Sequence, residues 1–228
     1  MNFDFLKGTK ILEEIESPIN SKLTVVRDLA WGVHITSQGL TQSGGIVYEV
    51  WRSTLRKVHS LPALPSGRSF VVRRCLILGL GGGSAAKLVR KFWPKAKITG
   101  VEIDQIMIDM GKKYLELEEL NVKIIVADAF KFLKIPVRPH VPIRDRYDLV
   151  LVDLYVGDQV PRNFETYKFL RSLRDSLTES GLAVFNRLYF GEKRTEAVKF
   201  GEKLEKIFPK VEIFYPQANT MLICYFRL

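Results

Sequence analysis

The chain has 228 residues, with 35 Lys plus Arg against 25 Asp plus Glu, and a formal charge of +10. At 46% hydrophobic and 11% aromatic residues it has the apolar surface for a core of its own, which excludes disorder as its dominant state. No apolar run is long enough to span a bilayer, and the start MNFDFLKGTKILEEIE carries acids where a secretory signal carries an apolar stretch, so a cytoplasmic protein with no membrane partner is expected.

Residues 1–65 read as a small β unit. KLTVVRDLA, WGVHITS and GGIVYEVW are short, rich in β-branched and aromatic residues, and separated by Gly, Ser and Asn, which predicts antiparallel hairpins. RSTLRKVHS reads as a basic helix, and LPALPSGRS, with its prolines and glycine, as the connector to a second unit over 66–228.

From residue 70 strand and helix patterns alternate. CLILGL, KITGVEI, VKIIVAD, YDLVLVDL and GLAVFN are buried-strand runs. Helical faces gather Ile106, Met110, Tyr114 and Leu117, then Tyr167, Leu170, Leu173 and Leu177, then Ala197, Phe200, Leu204 and Ile207. Gly181 reads as the stop of the helix before GLAVFN. This is α/β, a parallel sheet with helices on both faces and a Rossmann-like layout. KVEIFYP and TMLICYF are separated only by QAN, too short for a crossover, so the sheet ends in an antiparallel hairpin. Cys75 and Cys224 lie inside strand runs and read as buried free thiols. His34, His59 and His140 are far apart in sequence, so no metal site is predicted.

The chemistry starts at LILGLGGGS. Gly79, Gly81, Gly82 and Gly83 form a glycine-rich turn between a strand and a helix, where a ligand can approach the backbone, and Ser84 is placed to cap the helix. The next strand ends in GVEID. Glu102 there is placed to accept from two ribose hydroxyls, with Ile103 beside it. Asp128 and Ala129, after the third strand, suit an adenine edge, and Asp128 equally suits a helix N-cap. The fourth strand ends in Asp153, at the strand ends where open parallel sheets bind ligands, placed to orient or deprotonate an acceptor. Tyr155 and Asp158 follow on a loop containing Gly157 and ending at Pro161.

These motifs resemble the spermidine synthase family of S-adenosylmethionine-type transferases. The resemblance rests on the small β unit, GLGGGS, VEID, DAF and the run from Asp153 through Gly157 and Asp158 to Val160 and Pro161. It implies the seven-stranded class I methyltransferase-like sheet. It also implies a cofactor set of Gly79, Gly81, Gly82, Gly83, Glu102, Ile103, Asp128, Ala129 and Asp153, with Asp153 catalytic. Tyr48, Tyr155 and Asp158 would bind the acceptor, S-adenosylmethionine or its decarboxylated form would be the co-substrate, and a homodimer would follow from family habit. Yet where the family carries acids, this chain has Gly44, Gly45 and Val156. A diamine is a dication whose pocket needs carboxylates to offset desolvation. The expected activity is therefore methyl transfer to a small-molecule acceptor, with aminopropyl transfer second.

A third reading, nucleic-acid modification, rests on the pI of about 9.6 and on the loop where Lys134, Arg138, Arg144 and Arg146 oppose Asp145. It is disfavoured, because the lysines after residue 192 alternate with glutamates as on a solvated helix face. A relative that only binds the nucleoside is a fourth.

Overall fold

Alternating apolar and polar residues shape the first sheet. In the computed structural model, which describes residues 8–61, 70–134 and 146–227, the chain opens with β1 (Thr9–Ser17), β2 (Ser21–Asp28), β3 (Gly32–Ser37) and β4 (Leu40–Gly44). They form an antiparallel meander. The β3–β4 hairpin turns on Gln38 and Gly39, both at positive φ (50° and 77°), the pair a two-residue turn of primed type requires. Leu23, Val25 and Ile35 fill one face of this sheet and pack on Met107 and Met110 of α3 (Gln105–Tyr114).

GGIVYEVW is helix rather than strand. It opens α1 (Gly45–His59), which continues through the expected basic helix. The buried set Val50, Trp51, Thr54, Leu55 and Val58 follows the helical period only when both segments are read as one. Gly44 (φ 75°) and Gly45 (φ 47°) turn the chain out of β4, and a Cβ on Gly44 would lie 2.7 Å from the Val33 carbonyl oxygen. α1 shares a hydrophobic core with α2 (Ser84–Phe92), through Trp51, Leu55, Leu88 and Val89 among others. The expected boundary near residue 65 lies outside the described residues, as do His140 and most of the basic loop.

The second sheet has seven strands in the order β10-β11-β9-β8-β5-β6-β7. These are β5 (Arg74–Leu78), β6 (Lys97–Glu102), β7 (Val122–Val126), β8 (Tyr147–Val152), β9 (Leu177–Leu188), β10 (Lys210–Phe214) and β11 (Asn219–Tyr225). β5 to β9 are parallel, while β11 runs antiparallel to β9 and to β10, as the short QAN link dictates. The chain builds β5, β6 and β7 outward in one direction, then returns to place β8 and β9 on the other side. That reversal opens a crevice beyond the C-terminal ends of β5 and β8.

Helices α4 (Ala129–Lys134), α5 (Tyr167–Asp175) and α6 (Lys193–Glu205) complete the layers. Leu117 falls in a short 3-10 turn after α3, and Leu177 already belongs to β9. Gly181 is not a helix stop. α5 ends at Asp175 with Ser176 as its cap, and Gly181 lies inside β9 at a break in register between Tyr147–Leu177 and Leu149–Leu182. A Cβ there would sit 3.0 Å from the carbonyl oxygens of both Thr178 and Tyr147. Cys75 and Cys224 are buried and unpaired. Among the described residues no helix is long and apolar enough to cross a membrane.

Candidate cofactor and acceptor site

The reversal of strand order brings Gly79 and Asp153 side by side. The Asp153 amide donates to the Leu78 carbonyl at 2.8 Å, and a Cβ on Gly79 (φ 83°) would lie 2.0 Å from the Asp153 carbonyl oxygen. Only glycine fits there. Gly81 (φ 54°) and Gly83 (φ 98°) also take left-handed conformations, and Gly82 packs so closely on Gly111 of α3 that a Cβ on Gly111 would touch its Cα at 2.6 Å.

Glu102 ends β6 and buttresses this turn. Its Oε2 accepts from the Gly81 amide at 2.8 Å, and its Oε1 from Ile103 at 2.8 Å and Asp104 at 3.0 Å. A carboxylate has about four lone-pair sites, so roughly one remains, on Oε2. Oε2 therefore keeps a site open to a ligand hydroxyl. Burial pushes the Glu102 carboxyl above its ordinary pKa, opposed by the three amides.

Ser84 does not cap α2. Gly83 occupies the cap position, and the Ser84 hydroxyl accepts from the Gly44 amide at 2.7 Å and meets the Ser43 hydroxyl at 2.9 Å. Ser43 accepts in turn from the Gly82 amide at 3.1 Å. The end of β4 is thereby stitched to the glycine turn. Gln42 reaches onward to the Gly157 carbonyl at 3.3 Å, on the loop after β8. Asp104 anchors the same sheet elsewhere. It caps α3 through the Ile106 amide at 3.0 Å and receives Ser17 and Asn20 (2.7 Å) from the β1–β2 turn.

Asp153 is held on both carboxylate oxygens. Its Oδ2 accepts from the Trp51 indole at 2.7 Å and its Oδ1 from the Asn186 amide at 2.8 Å; Asn186 accepts from Asn219 at 2.8 Å. Burial raises the Asp153 pKa, against the two hydrogen bonds and the field of Arg187. Two cavities meet at this point. One, of about 280 Å³, is lined by Glu102, Ile103, Asp128, Ala129 and Val156. The other, of about 210 Å³, lies under β4 and α1, against Gln42, Ser43, Trp51, Asn186 and Phe190. Gly79, Glu102, Asp153 and Tyr155 line both.

The first cavity suits an adenosine. Ile103 is 44% exposed beside it and offers an apolar face to a flat ring, and Ala129 is small and buried. Asp128 caps α4, accepting from Lys131 at 2.9 Å, with its other oxygen available. Tyr155 lines both cavities, its hydroxyl fixed between the Leu188 amide (2.8 Å) and the Asn186 carbonyl (3.3 Å). Two expected acceptor residues fall elsewhere. Tyr48 faces a separate surface cavity with Trp31, Lys87 and Tyr114, because α1 is a helix and carries Trp51 inward instead. Asp158 lines neither of the two cavities at Asp153; on a tight turn that Val156 and Gln159 close around Gly157, its side chain is 43% exposed and paired with Lys193 at 3.3 Å. Trp51, Ser43 and Asn186 went unread in the sequence. Asn186 had a signal: an amide inside the apolar run GLAVFN is a buried polar group that needs a partner.

Fold and crevice define a doubly wound α/β protein of methyltransferase-like architecture, with two cavities meeting at the strand reversal. Residues 61–224 match the spermine/spermidine synthase domain, and the chain belongs to that family. A polyamine aminopropyltransferase of Vibrio vulnificus is 29% identical over 136 residues, 57% of this chain and 44% of that protein. An eEF1A lysine and N-terminal methyltransferase homolog of Drosophila melanogaster is 30% identical over 163 residues, 68% of this chain and 23% of that protein. The chain thus spans less than half the length of these curated relatives. Among solved structures, a spermidine synthase in complex with the transition state analogue AdoDATO superposes with a TM-score of 0.73 at 16% identity, covering 95% of this chain and 73% of that one. Human methyltransferase-like protein 13 in complex with SAH gives 0.58 at 20% identity, covering 79% and 81%.

Proposed function

We propose that the protein transfers a methyl group from S-adenosylmethionine to a small acceptor that is not a diamine. One observation carries the reading. Among the described residues of the cavity under β4 and α1, the carboxylates are Glu102 and Asp153, both at the cofactor end and both engaged by protein donors. Its far wall is Leu188, Phe190, Ala218 and Asn219. A second ammonium there would lose its hydration with no counter-charge. Neither glycine at the β4–α1 junction has room to regain an acid, since both sit at positive φ against His34 or Val33.

The sulfonium would supply an electrophilic carbon for in-line displacement. Gly79 and Gly81 leave space at the backbone for its methionine-derived portion, and Glu102 takes one ribose hydroxyl. Asp153, held by Trp51 and Asn186, presents its carboxylate to the acceptor and orients an N–H or O–H for attack. The burial that raises its pKa also makes it a better base for that proton.

Calorimetry with S-adenosylmethionine and its decarboxylated form, followed by mass spectrometry of mixtures with putrescine and with monoamines, tests the reading. Binding of the first with methylated monoamine is expected. Aminopropylated product formed only from the decarboxylated form would overturn it and establish the alternative, which the aminopropyltransferase relatives favour.

A further inference from the structure

Tyr155 and Leu188 also form the wall of a third cavity, of about 410 Å³, on the far side of the acceptor pocket. Its lining carries Arg162, Arg187, Lys193, Lys199 and Lys203 against Asp158, Glu165 and Glu196. The helix surface that read as uniformly solvated therefore has a second character. Lys193, Ala197, Phe200 and Lys203 follow the helical repeat and face inward, and the Lys193 side chain is only 14% exposed.

Arg187 is the unusual member. It is 7% exposed, its guanidinium lies 3.7 Å from the centre of the Phe200 ring, and one terminal nitrogen reaches Glu165 at 3.2 Å. Its Nε has no hydrogen-bond partner. The Lys203 ammonium donates to the neutral backbone carbonyl of Glu165 at 3.0 Å rather than to a carboxylate. Lys193 uses Asp158 and Glu196, and both of those carboxylates are more than 40% exposed to water. The cavity thus holds a buried, under-bonded guanidinium and an excess of positive charge, and the first turn of α6 opens onto it. The Nε itself is closed to solvent, so an oxyanion in the cavity would be met by the terminal guanidinium nitrogens of Arg187 together with Lys193 and Lys203, which line it as well.

We propose that this cavity is an oxyanion subsite, taking a carboxylate or phosphate group carried by the acceptor whose reacting end lies at Asp153. The proposal rests on the transferase reading in calling the ligand an acceptor, and it deepens that reading by assigning the substrate a class: a nucleophile joined by a short linker to an acid. Arg187 and Asn186 are neighbours on β9 and point to opposite faces of the sheet, so the linker would pass over the strand end at Leu188, which with Tyr155 lines both cavities.

The test is an amide and side-chain NMR titration of the intact protein with inorganic phosphate, butylamine and 3-aminopropylphosphonate. Phosphate should move Leu188, Arg187 and Lys193 resonances saturably, butylamine the Asn186 side-chain amide, and the tethered compound both sets together. Lys193→Gln with Lys199→Gln, at positions whose backbone is helical and whose side chains bridge nothing essential to the core, should weaken phosphate binding at least tenfold. Phosphate shifts spread over exposed lysines elsewhere, an unchanged affinity in the double variant, or a tethered compound that moves only one set would each overturn the proposal. Binding of S-adenosylmethionine by the same samples tests the methyl-transfer reading alone, and its failure would leave the phosphate result standing.

Discussion

Replacing Trp51 by Phe isolates what holds the central carboxylate. The ring stays in the core between α1 and α2, and the one polar change is loss of the indole N–H that reaches Asp153 Oδ2 at 2.7 Å. A hydrogen bond to a charged partner is worth about 1.5–3 kcal/mol net, and one to a neutral partner about 0.5–1.5 kcal/mol. The cost should therefore depend on the protonation of Asp153. Its folded pKa is raised by burial above the ordinary 3.8, so folded protein keeps the proton to higher pH than unfolded protein does. Asp153 thus subtracts stability as pH rises from 3.8 through its folded value, and the indole bond limits that subtraction by favouring the charged form. Removing the indole should cost about 2 kcal/mol where Asp153 is charged in both proteins and about 1 kcal/mol where it is protonated in both. Urea unfolding of the two proteins from pH 4 to 8 measures the difference directly, with other groups cancelling. A difference independent of pH would mean that Asp153 does not titrate against this bond, and a difference near zero that the bond is not formed.

Glu102→Ala should weaken S-adenosylmethionine binding about tenfold or more in calorimetry, the loss of one hydrogen bond to a charged oxygen, and should lower stability as well because three backbone amides lose their acceptor. Affinity equal to that of the unaltered protein would remove Glu102 from the cofactor site. Asp104→Ala removes the α3 cap and the tether to Ser17 and Asn20 together, and a loss of about 2–4 kcal/mol in urea unfolding is expected. Changes below about 0.5 kcal/mol would show that the β1–β2 turn is not anchored there.

The parallel strands were legible because each is a short apolar run, the central β5 and β8 buried on both faces and the edge strand β7 only partly, and the terminal hairpin because three residues cannot make a crossover. The glycine turn, Glu102 and Asp153 followed from the same frame, since strand ends are where such sheets expose chemistry. What escaped the sequence depends on side chains arriving from distant segments. Residues 44–51 alternate well enough to pass as a strand, and only their continuation to His59 reveals the helix that delivers Trp51 and turns Tyr48 outward. Ser84 read as a cap because the local rule was correct, yet the hydroxyl was taken by Gly44 and Ser43, about 40 residues earlier. Gly181 stops nothing because the strand bulges around it. Asp158 followed a loop whose fold the sequence alone does not set.

The stitching of β4 to the glycine turn has a consequence for how the protein breathes. Ser43 and Ser84 join two sheets through the very loop that would bear the ligand, so the N-terminal meander cannot lift away without disturbing the turn. Ligand occupancy and meander docking are then linked equilibria, each strengthening the other by the same factor. Amide protons of β1 and β2, which contribute no strand residue to the lining of either cavity, should exchange more slowly once the crevice is filled, so that the small sheet acts as a built-in reporter of what the large one holds.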